Sequence, residues 1–232
     1  MAFRASTRVQ SAGTSIVANA PAGLTDGDWL WAMVAADVAS QVITPPSGWT
    51  SAATALDPGS PDGHSYRLYR KVASSEPSSW TWTIGNSTDC TIVVGAWSGR
   101  DTAATVTPVE TNNTTNNGTP ISVAMNGVTA ASGDDIAVFF GLDKAANDGI
   151  WGSTPPTNYT EREDGDTTSW VYGGYLCTRD NVSSGATGTL TATATRSAGS
   201  GGAGFSGWVI ALPATGGGGP TFVPRSLLLG VG

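Results

Sequence analysis

Charge is scarce in this chain. Lys, Arg, Asp and Glu make up 12% of its 232 residues, about half the usual share for a globular domain. Solubility must then rest on Ser, Thr, Asn and Gly. The eleven basic residues are outnumbered by eighteen acidic ones, for a formal net charge of −7, so the basic footprint of nucleic-acid binding is missing. Arg67, Arg70 and Lys71 form the one basic cluster, in an alternating strand-like run that reads as a solvated face. Two cysteines, Cys90 and Cys177, are too few for a disulfide scaffold. One bridge between them stays open, with buried free thiols the expectation. Met1 to Gln10 lacks the apolar core of a secretory signal. No apolar run approaches the ~20 residues of a membrane helix.

Helix signals are nearly absent, because Gly, Pro, Ser and Thr interrupt every stretch that could hold a 3.6-residue period. Strand signals are frequent. Trp80, Trp82 and Ile84 alternate with Thr81 and Thr83, and Leu190, Ala192 and Ala194 alternate with Thr191, Thr193 and Thr195. Strands are expected near Ile16 and over Trp29–Ala36, Tyr66–Val72, Ser79–Ile84 and Thr91–Trp97, with counterparts further on.

Those counterparts follow from internal similarity. PAGLTDGDWLWAMVAAD (Pro21 to Asp37) matches VTAASGDDIAVFFGLD (Val128 to Asp143), and ITPPSGWT (Ile43 to Thr50) matches STPPTNYT (Ser153 to Thr160). Three further landmarks recur in the same order. The expected architecture is all-β: a jelly-roll-like antiparallel sandwich over residues 1–213, built from related halves at about 10–100 and 115–213. One half is expected to be unable to bury its own apolar face. A pair of immunoglobulin-like domains is the weaker rival, for want of the Cys–Trp–Cys framework. Trp29–Ala36 and Ile136–Leu142 are apolar on both faces, whereas antiparallel strands normally keep one polar. A partner subunit is expected to cover part of the second face.

Residues 214–219 read as a glycine linker. Residues 220–232, PTFVPRSLLLGVG, read as an apolar docking peptide carried by Phe222, Val223, Leu227, Leu228 and Leu229. Its prolines disfavour a helix, and a merely disordered segment would be polar. Strand addition or insertion into a groove, on another chain or on this one, is the expected use.

Residues able to carry chemistry are few. The single histidine, His64, stands in a polar stretch and reads as a surface-loop residue. Gly199 to Gly204 spells G-x-G-x-x-G but opens no helix, and Ser98 in GAWSG lacks nucleophile-elbow spacing. Asp26/Asp28 and Asp134/Asp135 enter strands in both halves, which favours turn roles. Glu161–Asp166 is a minor candidate for Ca²⁺, and no metal or cofactor is expected. A glycan-cleaving jelly roll would need two carboxylates facing one cleft, with Glu110 and Glu163 the residues to change. Among nine tryptophans, most are expected in the core or an interface. Trp49 and Tyr159, after the double prolines, are candidates for stacking on a host-surface glycan, with Trp151 and Trp170 behind them.

The Gly/Thr-rich duplicated pattern, GDWLWAMVAAD followed by TPPSGWT and YRK, and the apolar peptide behind glycines resemble tailed-phage virion surface proteins of the capsid-decoration, head-fibre or tail-surface type. The resemblance implies a non-enzymatic structural role on a virion assembled in the host cytoplasm. It further implies contacts with other virion proteins and homo-oligomers, and no nucleic acid or membrane. A carbohydrate-binding or adhesin module, working extracellularly, is the alternative.

Overall fold

Segments that alternate apolar and hydroxylated residues become strands buried on one face; segments apolar throughout become strands buried on both. The computed structural model of the chain describes residues 3–57, 63–116, 120–143, 151–165, 172–196 and 203–216. Every helix or strand within them is a strand, and every ladder is antiparallel.

The first half contains β1 (Phe3–Asn19), β2 (Trp29–Ala36), β3 (Ile43–Thr44), β4 (Thr50–Ser51), β5 (Ser65–Val72) and β6 (Ser79–Trp97). They form one sheet in the order β1-β6-β2-β5-β4, with β3 also on β6. The second half contains β7 (Val109–Asn116), β8 (Ile121–Met125), β9 (Thr129–Ala130), β10 (Asp135–Asp143), β11 (Trp151–Thr154), β12 (Thr160–Glu163), β13 (Tyr172–Arg179), β14 (Gly185–Ala186), β15 (Leu190–Arg196) and β16 (Ala203–Leu212). Its sheets run β12-β13-β10-β16-β7, β11-β15-β8 and β14-β9. The two pairing lists agree when β7 and β8 stand for β1, and β15 and β16 for β6. The ladders β1·β6, β2·β6, β2·β5, β4·β5 and β3·β6 meet their counterparts in β7·β16 with β8·β15, then β10·β16, β10·β13, β12·β13 and β11·β15.

The long strands explain the layers. Over Trp80–Ile84 only every second residue of β6 is buried, whereas Cys90–Trp97 is buried throughout. The ladder with β1 slips between Gly13 and Ser15, where Gly13 has a φ of 140°. The outer parts of β1 and β6 thus turn back over the sheet, bringing Ile16, Trp80 and Trp82 against Leu30, Val34 and Ile92 in one core. In the second half Ile121, Val123, Leu190 and Ala192 close in the same way over Ile136, Val138, Phe140 and Val209. Each half therefore buries one face by itself, contrary to the sequence expectation, because its outer strands supply a second layer.

A third core lies between the halves. It takes Trp29, Trp31 and Met33 of β2, Trp97 of β6, Phe139 of β10, and Trp208 and Ile210 of β16. The odd-numbered residues of β2 face this seam and the even-numbered ones face the inner core. The second apolar face of β2 and of β10 is covered by the other half of the same chain. The expected partner subunit is not needed there, and these faces offer it nothing. Glycines make the fit possible: a Cβ at Gly141 would run into the Tyr66 ring, and one at Gly174 would come 2.8 Å from Val93 Cγ2. Tyr66 and Val93 are knobs from the first half in sockets of the second.

Candidate functional site

The double-proline segments turn inward. Trp49 N–H donates to the Pro46 carbonyl (3.3 Å), Tyr159 N–H to the Pro156 carbonyl (3.0 Å), and the residue before each aromatic has positive φ: Gly48 at 84°, Asn158 at 69°. The reversal drops each ring onto the core. Trp49 is 5% exposed and packs edge-on against Trp80 at 5.3 Å, and Tyr159 is 8% exposed. Burial pushes the Tyr159 hydroxyl up to about 12. Stacking on a sugar needs an exposed ring face, and both rings are buried. The side chain of Trp151 and all of Trp170 lie outside the described residues.

His64 is also inside: it is fully buried, with Nδ1 3.6 Å from Asp37 Oδ1, so it is a core residue and not a surface-loop one. Asp89, beside the same acid, has its carboxyl pushed up by burial and then by Asp37. The acidic pairs at the strand entries act in turns as expected. Asp28 Oδ2 accepts from Thr25 N–H at 2.9 Å, and Asp134 Oδ2 accepts from Ala131 N–H at 2.8 Å. Arg4 adds an ion pair to Asp28 at 2.6 Å. Cys90 and Cys177 are both buried and free, so no bridge joins them. Burial holds both thiols up, Cys177 to about 12.

The candidate chemical sites stay dispersed. Glu161 and Asp164 share Ser153, through its hydroxyl and its N–H, and burial followed by Asp164 raises the Glu161 carboxyl. Among the described residues no group of three His, Cys, Asp or Glu converges to hold a metal; Asp166 lies outside them. Glu110 on β7 and Glu163 on β12 stand at opposite edges of the five-stranded sheet. Four inter-strand steps of about 4.8 Å put them roughly 19 Å apart, too far to flank one glycosidic bond at about 5–9.5 Å.

The junction between the halves is where surface and core meet. Arg100, just after β6, reaches into the second half and pairs with Asp135 at 3.2 Å, their side chains 3% and 0% exposed. Arg100 also donates to the Gly133 carbonyl at 2.8 Å, and Asn181 N–H donates to Asp135 at 2.8 Å. Burial raises the Asp135 carboxyl despite these partners. The chain returns to this point after β16, where Asp101 N–H donates to the Pro213 carbonyl at 2.9 Å and Thr215 Oγ1 to Gly99 at 3.1 Å.

From there two adjoining surface hollows, of about 320 and 440 Å³, run past Val106 and Thr107. Val109 and Ala211 line the first; Ala52, Ala53 and Glu110 line the second. These apolar side chains are only partly buried against the cores. Nothing in the sequence marked this groove, since small and half-exposed apolar residues carry no periodic signal. The proposed docking residues Phe222, Val223, Leu227, Leu228 and Leu229 lie outside the described residues. Comparison with protein-family models, curated proteins and solved structures gives no match.

Proposed function

We propose that this chain is a non-enzymatic virion structural protein that decorates a phage capsid or tail surface, held by contacts with other virion proteins and with further copies of itself. The observation that carries the reading is in the sequence: Phe222, Val223, Leu227, Leu228, Leu229 and Val231 follow four glycines, Gly216–Gly219. Apolar side chains behind a run of glycines gain free energy by docking, about 25 cal/mol per Å² buried before ordering costs. The low-charge, hydroxyl-rich sandwich supports it as a shell that contributes surface rather than chemistry. The two-faced strands no longer contribute to the argument, since the chain covers them itself. No observation favours the glycan-binding alternative now that Trp49 and Tyr159 are core residues.

The same proposal takes the halves as copies of one half-domain of jelly-roll type. The matching ladders support this, as does the shared turn in which Gly27 and Gly133 have φ of 87° and 90°. In the sheet order β1-β6-β2-β5-β4 only β4 and β5 are neighbours in both chain and sheet, which supports the jelly-roll assignment. Deleting Pro220–Gly232 tests the function: the sandwich should fold and the protein should be missing from purified particles. Normal incorporation would refute it.

A further inference from the structure

The seam between the halves has two edges, and they are finished differently. At one edge β1 meets β12. Phe3 closes the seam there, edge-on to Trp97 at 5.5 Å, with the Arg162 guanidinium 4.3 Å over its ring. At the other edge the residues after β4 meet β7 and the linker before it, and none of the residues lining the hollow between them is aromatic. Val106, Ala52 and Ala53 line the open groove instead. Its volume, about 440 Å³ at one end and 320 Å³ at the other, lies in the ~300–1,000 Å³ range of binding clefts.

We propose that this groove holds residues 220–232 of its own chain in the free protein. The inference rests on the reading of that segment as the docking element. Three observations single out this occupant. The described chain ends at Gly216, and Pro213, three residues earlier, is itself part of the groove wall. Gly217–Gly219 span at most about 10 Å, so Phe222 starts within reach of Val106. The segment carries the combination that closes the other edge, an aromatic and an arginine, Phe222 and Arg225. Its one charged side chain also has a counterpart: Glu110 lines the groove, and its carboxylate has no ion-pair partner among the described residues. In the free chain the segment fills the open edge as Phe3 and Arg162 fill the closed one. Assembly releases it to the neighbouring virion protein.

The test places a reporter thiol in the groove of the full-length chain, as Ala53→Cys or, in a second chain, Thr107→Cys. Cys90 and Cys177 are buried, so a maleimide reads the new thiol alone. Its labelling rate is compared with that in a chain also carrying Phe222→Asp and Leu228→Asp. A groove occupied nine-tenths of the time slows labelling about tenfold, and that protection is the expected result at both positions. Equal rates at both positions overturn the proposal. So does protection that fades on dilution while light scattering shows a dimer, because the occupant is then a second copy's segment. Protection in a protein whose Phe222→Asp, Leu228→Asp variant still enters particles would uphold the groove and refute the docking role. Loss of incorporation without protection would do the reverse.

Discussion

Gly141→Ala tests how tightly the two halves are fitted. The added methyl would occupy the space of the Tyr66 ring, and Tyr66 is fully buried in the core between the halves. To make room, either its side chain leaves a preferred rotamer or the sheets separate. Overpacking of this kind costs about 1–3 kcal/mol. At this chain length each kcal/mol lowers the melting temperature by about 2–4 °C, so a fall of roughly 2–12 °C is expected. Urea denaturation gives the free energy and calorimetry the temperature. A double-mutant cycle with Tyr66→Leu locates the cause. The smaller side chain makes room for the methyl, so the two changes together should cost less than their sum by roughly 0.5–3 kcal/mol. An unchanged midpoint for Gly141→Ala, or strict additivity in the cycle, would refute the knob-and-socket account of the seam.

Other consequences can be measured with the same assays. Arg100→Met leaves Asp135 buried without its cation and should cost about 3–5 kcal/mol, while adding Asp135→Leu should recover much of that loss; no loss in the single variant would show the pair to be incidental. Trp49→Ala and Tyr159→Ala should each lower stability, by about 3–5 kcal/mol for the larger ring, and leave a glycan array unchanged; a stable variant with altered glycan binding would restore the surface reading. Asp89 has a raised carboxyl pKa in the fold, so its contribution to stability is present at low pH and lost as pH rises through the folded value. Asp89→Asn should therefore stabilise the protein near neutral pH, with the gain shrinking on acidification; a gain that is constant or grows in acid would contradict the assignment.

Much of the fold is legible in the sequence. Alternation over Trp80–Ile84 and continuous apolarity over Trp29–Ala36 predict burial on one and two faces, and both are found. Periodicity reports how many faces are covered and says nothing of what covers them, so the partner expected on β2 proved to be the second half. The double prolines interrupt the strand pattern, but the position of such a break in sequence does not say which way the aromatic after it points. For Trp49 the answer depends on Trp80 and Trp82, some thirty residues away. His64 was misplaced for the same reason: a polar neighbourhood in sequence became a buried one in space, packed near Asp37. Short strands such as β9 and β14, of two residues each, leave no period to detect. The open groove depends on Val106 meeting Ala52 across the seam, a distance of over fifty residues in the chain.

The claim that most of this reading serves is that residues 220–232 attach the sandwich to a particle. Purified virions assembled with the full-length chain, or with one carrying Leu227→Asp, Leu228→Asp and Leu229→Asp, should be weighed for their content of this protein by quantitative mass spectrometry. The account predicts a regular copy number in the first and essentially none in the second, with both free proteins still folded. Equal copy numbers in the two kinds of particle, or absence of the unaltered protein from virions altogether, would contradict it.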